Sequence, residues 1–118
     1  LVLQALVRDL SRAESITLNQ EGGAPEQPLL ALRIKSDDSE GPAVDVDYFV
    51  KSSRIERVTK VVGAERPVRQ KLCENVKSFV LEENDDLLHV ELKCLGTLRD
   101  QTFEPSFVTD FYIGGISQ

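Results

Sequence analysis

The residues of this chain whose types could do chemistry are few: one histidine, two cysteines and three groups of carboxylates. His89 lies in LLHVELKCL, where Leu88, Val90, Leu92 and Cys94 alternate with His89, Glu91 and Lys93. That period of two places it on the polar side of a strand. A general base or metal ligand there needs partners, and no second histidine exists to supply one. An exposed strand residue is the expectation. A Ser or Cys nucleophile would have to draw on the same His89, and no GxSxG elbow, phosphate-binding glycine loop, HExxH or CxxC occurs. The expected protein is not an enzyme and uses no cofactor.

Hard cations are the next chemistry to consider. Asp37, Asp38 and Glu40 share one turn, Asp45 and Asp47 one strand face, and Asp85 and Asp86 the tip of a hairpin. Calcium asks for about six to eight oxygen ligands, several of them from one loop. None of the groups has EF-hand spacing, so solvated acidic surface with no metal is the default and a structural calcium site the alternative. Cys73 and Cys94 flank a hairpin predicted to turn on Asn84–Asp86. In that register residue 94 faces about residue 76, which leaves Cys73 a few positions beyond the cross-strand place. A disulfide needs Cα atoms within about 7 Å and would be worth about 3 kcal/mol by chain entropy. The spacing leaves open both a bond and two unpaired buried thiols.

These groups must be held by one domain. The 118 residues are enough to bury roughly two-thirds of the unfolded surface, and 41% hydrophobic with 29% charged residues is ordinary for a packed chain, which excludes disordered and collagen-like classes. A formal charge of -6 opposes a nucleic-acid partner, since phosphate binding depends on clustered Lys and Arg. Arg54, Arg57 and Lys60 come nearest to a basic patch and are expected on the solvated face of a strand. No run approaches the ~20 apolar residues that span a bilayer.

The chain opens with LVLQALVRDLSRAESI, which predicts an amphipathic helix over Leu1–Ile16. Leu3, Leu6, Val7, Leu10 and Ala13 follow the i, i+3, i+4, i+7 spacing, while Arg8, Asp9 and Arg12 fall away from that stripe. Nothing caps its first turn, so the natural helix is expected to begin upstream. Gly22, Gly23, Pro25 and Pro28 make Asn19–Pro28 a surface crossover, and Ser36–Pro42 is a polar turn. Strands are predicted at Leu30–Ile34, Val44–Val50, Arg54–Val62, Val76–Glu83, Leu87–Leu95 and Ser106–Ile113, with Gly63–Asn75 irregular. The fold class that follows is α+β: a long N-terminal helix packed on antiparallel β-sheet. A single domain spans 1–118, with 1–18 the end of the helix and 29–113 the sheet region. Leu10, Val46, Tyr48, Phe79, Val90, Leu92 and Phe111 are expected to pack together beneath the helix.

Four stretches follow one another in a telling order: the helix with its Arg-Asp-Leu, the hairpin VDVDYFVKSSRIERVTK, the segment KLCENVKSFVLEE, and the paired strands LLHVELKCLG and SFVTDFYIGG. In that order they resemble the minor pseudopilins of type II secretion, above all the J-type subunit, and the related minor pilins of type IV pili. The resemblance implies a pilin-like fold and a mechanical role. A subunit of that kind is anchored in the bacterial inner membrane with its domain in the periplasm, and joins other minor subunits in a tip complex that starts filament assembly. A basic leader, a cleavage and methylation site, a glutamate at the fifth mature position and a membrane-spanning helix half are then expected upstream of Leu1. Helix packing would supply the partner contact through Val2, Leu3, Ala5, Leu6 and Leu10. Leu3, Leu6, Val7 and Leu10 would face the sheet or the neighbour, with Val2 and Ala5 turned to the other side. An extracytoplasmic domain also favours the Cys73–Cys94 bond. The alternatives are a minor pilin of a type IV pilus or DNA-uptake system, and an unrelated periplasmic β-domain that binds a small ligand in an apolar pocket.

Overall fold

Strand pairing begins almost as soon as the chain does. The computed structural model describes residues 2–19, 27–35 and 41–116. Helix α1 (Val2–Arg12) runs directly into strand β1 (Ala13–Leu18), followed by β2 (Leu30–Ile34), β3 (Val44–Lys51), β4 (Arg54–Val61) and β5 (Val68–Cys73). These five strands form one sheet in the order β1-β2-β3-β4-β5, every neighbour antiparallel. Then come β6 (Val76–Asn84), β7 (Leu87–Cys94), β8 (Gly96–Leu98), β9 (Gln101–Phe103) and β10 (Ser106–Tyr112). A second sheet has the order β10-β7-β6, and β8 and β9 pair as a separate hairpin.

The long helix packed on a sheet is therefore corrected: the described residues are mostly antiparallel β-sheet, 61% of them strand, with one helix of 11 residues among them. The reason lies in what Ala13–Leu18 gains by leaving the helix. Ile16 and Thr17 are β-branched and prefer an extended backbone. Pairing with β2 sets Ile16 opposite Leu32 and Leu18 opposite Leu30, which buries Ile16 in the core. At the helix end Ser11 Oγ donates to the Arg8 carbonyl at 2.7 Å, a side-chain bond that competes with continuation of the backbone ladder.

The buried stripe of α1 is also rotated from the expected one. Val2, Ala5, Leu6, Asp9 and Leu10 are buried, Leu3 is half-buried, and Val7 stands 52% exposed. This set keeps helical spacing as well as the expected set does, and it differs by placing a carboxylate in the core. β5 was expected to be irregular because Val68, Arg69, Gln70 and Lys71 are all exposed on an edge strand, so no alternation betrays it. β8 and β9 are too short and too exposed to carry a pattern.

One apolar cluster joins α1 to both main sheets, including Leu6 and Leu10 from the helix, Val46 and Tyr48 from β3, Phe79 from β6, and Val90 and Leu92 from β7. Phe111 is half-buried and packs against it. The β3–β4 hairpin turns on Ser52 and Ser53, whose φ angles of 51° and 62° give the left-handed pair that a two-residue hairpin requires. That turn fixes the register and sets Tyr48 opposite Arg57.

Candidate functional site

Asp9 is the only buried charged or polar residue among those described, at 2% exposure. A carboxylate out of water is costly unless its oxygens are fully bonded. Here the hairpin register supplies the donors. Arg57 Nε donates to Asp9 Oδ2 at 2.7 Å and Arg57 Nη2 to Oδ1 at 2.7 Å, a two-pronged pair. The Tyr48 hydroxyl also donates to Oδ2. Tyr48 is fully buried. Burial first, and then its bond to the Asp9 carboxylate, hold the Tyr48 hydroxyl far above the ordinary tyrosine range. The hydrogen bond to Asp9 likewise raises the Arg57 guanidinium. Three donors from two adjacent strands thus close on one helical carboxylate. The arrangement fixes the rotation and height of α1 on the sheet, and its burial leaves no access for a substrate.

Arg57 is accordingly not on a solvated face, whereas Lys60 is exposed and Arg54 half-exposed. The cluster's hairpin was legible but its register was not. It is the two-residue turn at Ser52–Ser53 that puts residue 48 across from 57, and Val2, Ala5, Leu6, Asp9 and Leu10 form an alternative stripe once a charge is allowed within it. The charge is what diverted the sequence reading.

The remaining candidates occupy separate places. His89 lies on the outer face of the second sheet, with Nδ1 2.7 Å from Asp110 Oδ1 and Nε2 3.1 Å from Glu91 Oε1. Two carboxylate partners occupy both ring nitrogens and favour the imidazolium, so the ring's pKa rises, mainly through Asp110 and then Glu91. Both ring nitrogens are thus engaged by carboxylates of the same sheet. Asp45 is held by Arg33 through bonds of 2.9 and 3.3 Å. Its neighbour Asp47 has its carboxyl raised by burial and by the nearby Asp45 charge. Asp85 and Asp86 are exposed at the β6–β7 turn, where the Asp86 carbonyl accepts from the Ile113 amide at 2.7 Å. Asp37, Asp38 and Glu40 lie outside the described residues. Among the described residues no three His, Cys, Asp or Glu side chains gather to hold a metal.

Of the residues assigned to a partner helix, Val2, Ala5, Leu6 and Leu10 are buried in the chain's own core and Leu3 is half-buried. The first turn of α1 borders a cleft of about 420 Å³ lined by Val2, Leu3, Gln4, Leu72, Leu92 and Phe107. Cys73 and Cys94 complete its wall, their sulfurs 3.7 Å apart. No helix among the described residues is long and apolar enough to cross a membrane. No protein-family model, curated protein or solved structure matches the chain.

Proposed function

We propose that this chain is a non-enzymatic structural subunit of a periplasmic filament, a minor pseudopilin of the J type that joins other minor subunits in a tip complex and helps to start assembly for type II secretion. One observation supports this reading above the others. The helix with its Arg-Asp-Leu and the hairpin VDVDYFVKSSRIERVTK are two of the four stretches that carry the resemblance, and Tyr48 and Arg57 of the hairpin both bond to Asp9 of the helix. Motifs that are individually degenerate are thus one physical unit here. The groups capable of chemistry point the same way: His89, Asp9 and Arg57 are each engaged with partners inside the chain.

The contact with a neighbouring subunit falls on the outward side of α1. Gln4, Val7, Arg8 and Ser11 are exposed there, with Val7 as the apolar centre. An apolar side chain ringed by polar ones suits a helix that must be stable alone and still pack on assembly. On this reading the domain stands in the periplasm and the subunit is attached to the inner membrane.

The test is to mix the domain with the corresponding domain of a minor subunit encoded beside it and follow elution at micromolar concentration. Co-elution in a one-to-one complex, weakened by Val7→Glu, is the expected result; separate elution of the two domains would remove the tip-complex role. A minor pilin of a type IV pilus or DNA-uptake system is the same reading in a different machine, and the open reading frames alongside distinguish the two. The apolar cleft beside Cys73 favours a second reading, a periplasmic β-domain that binds a small apolar ligand. An ordinary cleaved signal peptide in place of a retained membrane segment would select it.

A further inference from the structure

We propose that Cys73 and Cys94 are a redox pair that closes into an intramolecular disulfide and clamps the two main sheets together beside the first turn of α1. The proposal stands apart from the assembly role, because it rests on the isolated chain. Cys73 ends β5, the edge of the five-stranded sheet, and Cys94 ends β7, the centre of the three-stranded sheet. Their sulfurs are 3.7 Å apart, so closure to the bonded separation of about 2.05 Å requires only a small side-chain adjustment.

The backbone around the pair is already fixed from both sides. Cys73 pairs with Ile55 in β4 and Cys94 with Val76 in β6. The short link between β5 and β6 is tied to both sheets. The Val76 amide donates to the Ser53 carbonyl at 2.9 Å, and the Leu95 amide donates to the Asn75 carbonyl at 2.7 Å. Asn75 takes the left-handed conformation, with φ of 57°, that lets the chain cross between sheets in so few residues. The Cys94 amide is anchored in turn on the Pro105 carbonyl at 3.0 Å. A bond that forms where the backbone is held in place need not distort it, which is the usual reason that cross-links fail to stabilise. Both cysteines line the open cleft and are half-buried.

The oxidant is a disulfide, either a small one such as oxidised glutathione or that of a thiol oxidoreductase. The thiolate of one cysteine attacks the oxidant's disulfide and releases one thiolate. The second cysteine then loses its proton, attacks the mixed disulfide and releases the other. Two protein thiols are oxidised, one disulfide is reduced to two thiols, and the protons go to those thiolates. Burial and the adjacent Cys73 sulfur hold the Cys94 thiol above its ordinary range, so closure accelerates as pH rises. The bond spans β5 to β7 and pins one wall of the cleft that Val2 and Leu3 also line.

The experiment is incubation of the reduced chain with oxidised glutathione, followed by intact mass, peptide mapping under non-reducing conditions and thermal unfolding. The expected product is a monomer lighter by two hydrogens, with Cys73 and Cys94 joined in one peptide pair. Its Tm should exceed that of the reduced chain by roughly 5–15 °C. Cys73→Ser and Cys94→Ser should each stop at one glutathione adduct with no such gain. Two glutathione adducts on the native chain, persistence of both free thiols, or linkage only between chains would each overturn the proposal, and all are read on the unaltered sequence.

Discussion

Helix α1 is held at its two ends by opposite means. Toward its C-terminus, Asp9 is gripped by Arg57 and Tyr48, charged and directional groups that accept one rotation of the helix. Toward its N-terminus, Val2 belongs to the non-directional apolar cluster and Leu3 packs against it, beside a cleft that Cys73 and Cys94 also line. The comparison teaches a division of labour. Apolar contact can hold a helix on a sheet in several rotations, whereas one buried carboxylate with three donors selects among them. Specificity comes from the first end and adjustable rigidity from the second.

The largest effects should come from leaving half of the ionic grip in place. Asp9→Leu leaves the part-buried Arg57 guanidinium without its partner, and Arg57→Leu strands the buried carboxylate. Each should cost about 3–5 kcal/mol in urea unfolding, because an unpaired charge is then wholly or partly buried. At the apolar end the comparable change is Leu6→Ala, which opens a cavity under a fully buried side chain and should cost about 2–5 kcal/mol. The two ends differ in what remains: after Leu6→Ala the helix should keep its rotation, as judged by unchanged amide shifts at Asp9 and Leu10. Tyr48→Phe removes one of three donors and should cost about 1–3 kcal/mol.

The same tyrosine gives the ionic end a pH signature. Its folded-state pKa is raised, so its contribution is complete below the unfolded value of about 10. As pH climbs above that value the unfolded chain ionises first, and the contribution is lost. Stability should therefore fall in alkali more steeply for the native chain than for Tyr48→Phe. The smallest effect is expected away from both ends, at His89. Its raised pKa makes its contribution complete below about 6.5, fading as pH rises through the folded value. A titration of the His89 ring resonances should show a downward shift in Asp110→Asn and a smaller one in Glu91→Gln.

How much of this was legible in the sequence depends on whether a side chain's partner lies nearby in the chain. The alternation in Val44–Val50 and Leu88–Cys94 shows each strand's two faces without knowledge of the rest, and both strands are present. The hairpin itself was legible, but the Tyr48–Arg57 pairing was not: strands ending at Val50 and resuming at Arg54 would set Tyr48 opposite Glu56, and it is the two-residue turn that sets it opposite Arg57. Asp9 could not be read locally either. Its burial depends on donors 39 and 48 positions away, so a charge at a helical position looked like solvent-facing surface and pulled the stripe toward Val7. Ala13–Leu18 failed for a related reason: its helical continuation was undone by pairing with β2, beyond a connection that the local pattern does not bridge. The Cys73–Cys94 approach was visible to within a few residues. It turned on the register shift between Val76 and Ser78, which no period of two reveals.

The most direct measurement is a double-mutant cycle on Asp9 and Arg57, with Asp9→Leu, Arg57→Leu and the double variant compared by equilibrium unfolding. If the pair is a mutual grip between helix and sheet, each single change is severe. The double change then recovers most of the loss, because it leaves no buried charge and only Tyr48 to be rehydrated or repacked. A double variant whose loss equals the sum of the two single losses would contradict the account. Asp9 and Arg57 would then be acting separately, and the ionic cluster would not be what sets α1 on the sheet.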